Sequence, residues 1–590
     1  MKIELALLQS SFFFTQNLDM NISAPERKFI AKDLSIQTWE DIESYFIDLK
    51  EREIVTKEDY ILWLQNRSEL DAVLEENAAW RYIKMTIDTR DQTLTDAYTY
   101  FVTEIQPKLA PFEDELNQKM LHSPFMESLK NEKDYFIYFR SVQKELDLFR
   151  TENIALEAEI SEESQQYGAI SAAQMIEFDG EKMTMQKAST LLKDLDKNIR
   201  KKAFLLISER RAQDNQALDD LFSSLTAKRH QIALNAGFKN FRDYKFHALG
   251  RFDYTKEDCF DFHNSIKKHI VPLVKQIQQK QADLLGVEKL KPWNLEVDPL
   301  GRKALKPFGS GQELLEGTVK MFKNIDPYFA DCIQTMDEMG HLDLESKEGK
   351  SPGGYNYPLY EIGVPFIFMN AVGALRDLVT MVHEGGHAVH SFLSRDLALT
   401  GFKNLPSEVA ELASMSMELL SMDQWEIFFK NAEDLKRAKI EQLETILKIL
   451  PWVATIDEFQ HWIYENPTHS VEERQNQWEK ISKDYGTGLV DWTGYEEFKS
   501  RSWQRQLHLF EVPFYYIEYG IAQLGALAIW KNSKTDLPTT IQNYKNALKL
   551  GYTKQIPEIY QAAGIEFNFS EKYIQDLAQF LKKELENLNN

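Results

Sequence analysis

The chain has 590 residues, 43% of them hydrophobic and 27% charged, which is the composition of a soluble protein large enough for several domains. Its 69 basic and 92 acidic residues give a net charge of −23, so the surface should repel nucleic acid and anionic membranes rather than bind them. Only two cysteines are present, Cys259 and Cys332, far apart and outside any paired motif, which excludes a disulfide framework and a cysteine zinc site.

The N-terminal stretch MKIELALLQSSFFF has to be considered as a signal peptide. It has one lysine, then Glu4 at the edge of the apolar run, and no cleavage site of small residues, so a signal is disfavoured. The longest apolar runs, around Pro365–Leu375 and Ile521–Trp530, are too short to cross a bilayer. A cytoplasmic enzyme is the simpler interpretation.

Most of the remaining chain has apolar residues at three- and four-residue spacing, which predicts helices. Examples are Thr95–Ile105, Glu113–Leu121, Asp134–Ala158, Ser189–Arg211 and Asp214–Asn235. Within MIEFDGEKMTM, Asp179 and Gly180 separate two short alternating runs and predict a hairpin. A boundary near this hairpin is expected to divide an N-terminal helical region (1–190) from the region that carries the histidine motif (191–590).

A second break in the helical pattern is GGYNYPLYEIGVPFIFMN, Gly353–Asn370. It is rich in glycine, tyrosine and residues that favour strands, and it predicts a loop, a strand, a second loop and a second strand.

The segment MVHEGGHAVHSF follows, within a predicted helix over Leu375–Ser394. His383 and His387 are one turn apart on one face and can bind the same ion, while Glu384 beside them is placed as a general base. His390 lies about 10 Å from His383 along the axis, too far for a straight helix to bring all three histidines to one ion.

A third metal ligand has to come from elsewhere in the chain, and NLPSEVAELASMSMELL predicts a second helix begun by Pro406-Ser407. Small and apolar neighbours suggest that Glu411 is buried, where a metal would be its partner; the alternative is a partly exposed surface glutamate. Two imidazoles and one carboxylate leave a fourth position open for water. The pair Gly385-Gly386 indicates close approach of a substrate or another backbone, or tight packing between helices.

These residues resemble the zinc metallopeptidase family of thimet oligopeptidase and oligoendopeptidase F. The resemblance is carried by HEGGHAVHSFLS followed by VAELASMSMELL. It implies that His383, His387 and Glu411 hold zinc and that Glu384 is the base. His390 and Glu418 match further family positions and are expected to orient the ligands through hydrogen bonds.

The segment HLFEVPFYYIEYGIAQLGA is similar to the family's His-then-Tyr segment, which stabilises the oxyanion. Pro513 is expected to start a helix and to leave His508 in a turn before it. Tyr519 is the first candidate for a hydrogen-bond donor, followed by Tyr516 and Tyr515.

Two further stretches resemble substrate-binding parts of the family. SPGGYNYPLY is similar to its flexible glycine-rich loop, which assigns Gly353, Gly354 and Tyr355, together with Tyr515, to substrate binding. GVPFIFMN is similar to the edge strand that pairs with bound peptide.

The resemblance implies a mostly α-helical, zincin-like metallopeptidase with a small β-sheet and two helical lobes around a deep substrate channel. Residues 191–590 become the metallopeptidase catalytic region, with one Zn²⁺ per chain. The expected activity is endopeptidase cleavage of short unstructured peptides, without a nucleic-acid or membrane partner. A peptidyl-dipeptidase or exopeptidase of the same zinc class and a non-catalytic helical peptide-binding protein are the alternatives, and the oligomeric state is left open.

Overall fold

The structure is a computed structural model that describes residues 22–132 and 134–589. The stretch considered as a signal peptide lies outside these residues. Helices dominate, as predicted. Those before residue 191 are α1 Glu43–Glu51, α2 Lys57–Ile87, α3 Gln92–Tyr100, α4 Gln106–Leu121, α5 Met126–Lys130, α6 Tyr135–Leu148, α7 Asn153–Ala172 and α8 Met185–Thr190.

The helices before the candidate metal centre are α9 Lys197–Ala212, α10 Asn215–Asn235, α11 Phe241–Ala248, α12 Lys256–Ser265, α13 Val271–Leu285, α14 Gly311–Ile325 and α15 Pro327–Glu338. The last group is α16 Leu375–Ser394, α17 Ser407–Met422, α18 Ala432–Glu465, α19 Val471–Asp484, α20 Glu496–Ser500, α21 Leu507–Glu511, α22 Ile517–Ser533, α23 Leu537–Leu548, α24 Ile556–Ala562 and α25 Glu571–Asn589.

Helix boundaries depart from the predicted ones where a turn interrupts an apolar pattern. The predicted helix Asp134–Ala158 is two helices, α6 and α7, because the chain turns between Leu148 and Asn153. The apolar spacing continues across this turn, so the periodicity alone did not reveal it. The helix predicted over Leu375–Ser394 is confirmed as α16.

Two small sheets accompany the helices. The predicted hairpin is formed by β1 Met175–Phe178 and β2 Glu181–Thr184, and its turn residues Asp179 and Gly180 both have positive φ, the geometry of a two-residue hairpin turn. The second sheet contains β3 Leu342–Glu345, β4 Tyr355–Tyr357 and β5 Phe366–Ala371.

The order of the second sheet corrects one expectation. Strand β5 lies in the middle, parallel to β3 and antiparallel to β4, with Tyr355 opposite Phe368. The segment GVPFIFMN was expected to be the edge strand that pairs with peptide, but both of its sides are already paired, and β4 is an outer strand. A strand pattern shows that a segment is extended but not which neighbours it pairs with.

Apolar side chains form two main cores. One lies among the N-terminal helices around Trp39, Phe46 and Trp63, and Leu399 and Phe402 from the later part of the chain complete it. The larger core is built on the later helices, where α17 packs against both α16 and α22. No helix in the described ranges has both the length and the apolar character to cross a membrane.

Candidate metal centre

Helix α16 carries the histidine motif and has a well-defined start. The carboxylate of Asp377 accepts hydrogen bonds from the backbone N–H groups of Val372 (2.8 Å) and Ala374 (2.9 Å), which satisfies donors at the helix N-terminus. One turn apart on this helix, the rings of His383 and His387 have centroids separated by 5.0 Å.

Glycine lets α17 approach this face of α16. A Cβ on Gly386 would lie 2.7 Å from both the carbonyl oxygen of Ala413 and the Cα of Ser414, closer than non-bonded atoms can come. A Cβ on Gly385 would lie 2.8 Å from the ring of Phe322. The two glycines therefore serve tight packing, which was one of the alternatives, and this close contact brings Glu411 to the histidines.

Three side chains converge between these helices. The Nε2 of His383 lies 3.3 Å, and that of His387 3.9 Å, from the Oε2 of Glu411. All three donor atoms fall within 4.8 Å of one another. Two imidazoles and a carboxylate this close are the donor set of a catalytic zinc site, so the residues present fit a zinc ion.

Glu418 contacts the second ring nitrogen of His383. Its Oε1 lies 2.7 Å from the Nδ1 of His383, and its Oε2 accepts a hydrogen bond of 2.8 Å from the Nε2 of Gln442. With the proton on Nδ1, the Nε2 of His383 is free to bind a metal. Gln442 was not predicted, because it lies on α18, and nothing in its local sequence links it to α16.

The charge states of Glu411 and His387 also suit a metal. Burial alone would raise the pKa of Glu411, but contacts with His383 and His387 and a hydrogen bond from Ser414 (2.9 Å) lower it to about 2. Burial lowers the pKa of His387 to about 4, which keeps the imidazole neutral. An ionised carboxylate and a neutral imidazole are the forms that bind metal ions.

Glu384 is placed beside the ligands. Only 7% of the residue is exposed, and burial raises its pKa to about 7. Its backbone carbonyl accepts a hydrogen bond of 3.1 Å from the Nδ2 of Asn356 on β4. This contact, which the sequence did not indicate, ties the outer strand to the catalytic turn of α16.

His390 does not take the expected position. It is 1% exposed, and among the described residues neither ring nitrogen has a hydrogen-bond partner. The expected hydrogen bond to a ligand is therefore absent here. Seven residues after His383, the side chain is too far along α16 to reach that site, and burial lowers its pKa to about 3, so it packs as a neutral ring.

His508 and three tyrosines form an aromatic cluster. The His508 ring centroid is 4.7 Å from that of Tyr516 and 6.1 Å from those of Tyr515 and Tyr519. Gln506 accepts from Trp452 Nε1 (2.9 Å) through its oxygen, so its Nε2 donates to the Nδ1 of His508 (2.7 Å). The remaining proton of the His508 ring is on Nε2, available as a donor.

The local structure around this cluster differs from the prediction. His508 lies in the short helix α21 rather than in a turn, and α22 starts at Ile517, four residues after Pro513. Between them Phe514 has a φ of 67°, in the left-handed region that an apolar residue rarely adopts. Tyr515 and Tyr516 therefore lie in a turn, and only Tyr519 is on the helix.

The tyrosines differ in their electrostatic surroundings. Burial raises the pKa of Tyr515 and Tyr519, and the negative charge of Glu411 raises both further. Burial also raises the pKa of Tyr516, but its other neighbours there are Trp452, Arg505 and Gln506. The charge of Glu411 thus acts on Tyr515 and Tyr519.

The glycine-rich segment is bonded to the sheet. The carbonyl oxygen of Gly353 accepts from Asn370 Nδ2 (2.8 Å), and a Cβ on Gly354 would lie 3.2 Å from the carbonyl oxygen of Phe368. The ring of Tyr355 stacks on Phe368 at 4.9 Å, and its hydroxyl is 2.6 Å from the Oγ1 of Thr86 on α2. The structure therefore places these residues at the start of the outer strand β4.

Comparisons with known proteins agree on one family. The model of "Peptidase family M3" matches residues 190–579, and that of "Peptidase M3 N-terminal domain" matches residues 32–149. An oligoendopeptidase F homolog of Borreliella burgdorferi is 22% identical over 70% of this chain and 69% of its own length. One of Mycoplasma pneumoniae is 22% identical over 88% and 89%. The solved structure of PZ peptidase A with an inhibitor has a TM-score of 0.83, 27% identity and coverage of 93% and 97%.

Proposed function

Because the chain belongs to peptidase family M3, we propose that it is a zinc-dependent endopeptidase that hydrolyses short, unstructured oligopeptides and holds one zinc ion at its catalytic site. The observation that carries this proposal is the convergence of His383, His387 and Glu411 within 4.8 Å, with Glu384 next to them. The net charge of −23 supports a protein without a nucleic-acid partner.

In the proposed reaction, Glu384 moves the proton. Zinc in such a site supplies a Lewis acid that makes water a nucleophile at neutral pH. The Glu384 carboxylate takes the proton of the attacking water and passes it to the leaving amine. Burial raises its pKa to about 7, so the group can both accept and release a proton near neutral pH.

The aromatic cluster stabilises the charge that develops on the scissile carbonyl oxygen. His508 offers an Nε2 proton, and burial lowers the pKa of its ring, so it donates as a neutral imidazole. The hydroxyl of Tyr519 is the second donor. The rings of His508, Tyr515 and Tyr516 all pack against the ring of Tyr519. Removal of one such donor typically costs about 3 kcal/mol of transition-state stabilisation.

The outer strand β4 is the proposed platform for an extended peptide. Adding a strand to a free edge binds the peptide through its main chain and tolerates many side chains. The hydroxyl of Tyr355 is engaged with Thr86, so this residue contributes its backbone, while Gly353 has open space beside it and Gly354 packs closely on β5. Tyr515, whose pKa is raised by burial and by the charge of Glu411, is proposed to contact the same peptide.

The decisive experiment separates metal binding from turnover. Glu384→Gln should keep its zinc, measured by atomic absorption, and lower kcat on a quenched peptide by about 10²–10⁴-fold, because the general base is lost. Glu411→Ala should lose zinc. Full activity in Glu384→Gln, or unchanged zinc in Glu411→Ala, would contradict the assignment.

A blocked peptide distinguishes the remaining activities. An endopeptidase cleaves a substrate that is acetylated at its N-terminus and amidated at its C-terminus, whereas an exopeptidase or peptidyl-dipeptidase needs a free end. Mass spectrometry of the products should show internal cleavage. A peptide-binding protein without activity would leave every peptide intact, with or without zinc.

A further inference from the structure

A second group of metal-binding side chains lies in the described part of the chain, away from the catalytic candidates. Helix α12 carries Cys259 and His263 one turn apart, and α18 carries Asp457 and His461 one turn apart. The two helices pack so that these four side chains face one another. Their residues are 0%, 2%, 0% and 3% exposed, so the group is fully buried.

The distances among Cys259, Asp457 and His461 are those of a metal site, and His263 is hydrogen-bonded to Asp457. The Oδ2 of Asp457 lies 2.8 Å from the Nε2 of His263 and 3.2 Å from the Nε2 of His461. Zinc bonds of about 2.0 Å in tetrahedral geometry hold donor atoms about 3.3 Å apart. Donor atoms of Cys259, Asp457 and His461 all lie within 4.8 Å of one another, the same limit that the catalytic donors meet.

Several polar atoms in this group are unsatisfied. Although His461 Nε2 and Asp457 Oδ2 are close, their contact lacks hydrogen-bond geometry. Among the described residues, neither ring nitrogen of His461 nor the Oδ1 of Asp457 has a hydrogen-bond partner. Buried polar atoms without a partner are costly, so two adjacent side chains in this state point to a missing partner between them.

We propose that Cys259, Asp457 and His461 form a buried site for a second divalent transition metal, with zinc as the preferred ion, and that His263 orients Asp457 through its hydrogen bond of 2.8 Å. One sulfur, one oxygen and one nitrogen donor suit zinc, and full burial leaves no path for substrate. A thiolate and a carboxylate together neutralise the ion, as a fully buried site requires. The spacing of the two cysteines had argued against a cysteine zinc site, but that spacing cannot reveal donors that come from two helices nearly 200 residues apart.

The position of this site suggests what it stabilises. The ring of His461 packs 5.3 Å from that of Phe514, and the backbone N–H of Phe514 donates to the Oε1 of Gln460 (2.6 Å). Phe514 is the residue with positive φ in the turn that carries Tyr515 and Tyr516. A metal that joins α12 to α18 would therefore support this turn from behind.

The first test counts the metal ions per chain in proteins whose proposed second site is unaltered. Wild-type protein, purified in metal-free buffer, should contain two zinc ions per chain by plasma mass spectrometry, and Glu411→Ala should retain one. One ion in the wild type and none in Glu411→Ala would overturn the second site, leave the proposed function intact, and indicate a hydrogen-bonded triad of His263, Asp457 and His461.

Cobalt identifies the donors. Protein produced in medium with cobalt in place of zinc should show the near-ultraviolet charge-transfer absorption of a cobalt–thiolate bond, because the catalytic donor set has no sulfur. This band should persist in Glu411→Ala, vanish in Cys259→Ser and persist in Cys332→Ser, which alters the other buried cysteine. Absence of the band in both wild type and Glu411→Ala would overturn the proposal even if Cys259→Ser does not fold.

Discussion

Glu418 shows how a residue that need not touch the metal can determine its affinity. It fixes the proton of His383 on Nδ1 and is itself held by Gln442. Partners of this kind set the orientation and basicity of a ligand, and their loss typically costs metal affinity without removing the site.

Glu418→Ala is therefore expected to weaken zinc binding by about 10–100-fold, measured by competition with a chelator. Glu418→Gln should have a smaller effect, because an amide oxygen can still accept the Nδ1 proton of His383. Equal zinc affinity in wild type and Glu418→Ala would show that the contact does not orient the ligand.

A buried carboxylate near the tyrosine turn makes stability depend on pH. Burial, together with repulsion from Glu408, outweighs the ion pair with Arg251 (2.7 Å) and raises the pKa of Glu518 to about 8. The other ionisable groups around it are Tyr254, whose hydroxyl donates to Glu408, Tyr515 and Lys245.

In the unfolded chain a glutamate titrates at about 4.3, so between that pH and about 8 the folded state binds more protons. The free energy of unfolding should therefore fall as the pH rises through this window and level off above it. Relative to wild type, Glu518→Gln should gain stability from pH 5 to pH 8 in urea titrations. A difference that stays constant with pH would contradict the raised pKa.

At the scale of single residues, the sequence predicted what lies within one helical motif. The spacing of His383, Glu384 and His387 determines their common face, and small neighbours indicated that Glu411 is buried. Ser414, Gln442 and Asn356 were missed, since their roles depend on contacts between elements that no local pattern records. His390 matched the family pattern, but its position along the helix axis takes it away from the ligands.

At the scale of elements, the spacing between α16 and α17 determines whether the ligands meet. Gly386 allows the backbone of α17 to lie where a Cβ would otherwise be, 2.7 Å from Ala413 and Ser414. The metal donors are thus held together by a contact made of backbone atoms, which cannot move aside as a flexible side chain could.

Gly386→Ala should separate these helices. Overpacking a tight contact costs about 1–3 kcal/mol, so both the melting temperature and the zinc affinity are expected to fall. Gly168→Ala is the matched control, because that helical glycine has no atom within 4 Å of the added Cβ and should gain up to about 1 kcal/mol of helix propensity. Unchanged zinc affinity in Gly386→Ala would show that helix spacing does not control the site.

The elements that were mispredicted share a cause. Strand β5 was expected at an edge and lies in the middle, and the helix expected at Pro513 starts at Ile517. Strand order is set by long-range pairing. The left-handed backbone of Phe514 is held by two tertiary hydrogen bonds, one from Arg251 to its carbonyl oxygen and one from its N–H to Gln460. Local propensity contains neither kind of information.

At the scale of the whole molecule, the N-terminal region contacts the segment between β4 and β5. The Oε2 of Glu76 accepts hydrogen bonds from the backbone N–H groups of Glu361 and Ile362, both 2.8 Å, and Arg27 pairs with Glu361. The helical fold class was predictable from periodicity, whereas these contacts were not. The division at residue 190 stays a prediction.

The proposed metal donors are largely buried. The side chains of His383, His387 and Glu411 are 22%, 21% and 10% exposed. A thin extended chain is therefore expected to reach them and a folded protein is not. A cleavable sequence should be cut as a free peptide and resist cleavage in a surface loop of a stable carrier protein, with the urea-unfolded and refolded carrier as control. Equal rates on both substrates would contradict a recessed site.

Strand β4 makes side-chain hydrogen bonds to two other elements, α2 and α16. Tyr355 meets Thr86 of the N-terminal helices, while its neighbour Asn356 holds the carbonyl of Glu384. Thr86, Tyr355 and Asn356 thus link the N-terminal helices to the turn of α16 that carries Glu384. If the two regions part to admit a peptide, the contact between Thr86 and Tyr355 breaks and strand β4 loses a support next to Glu384, so we expect an open molecule to be less active than a closed one.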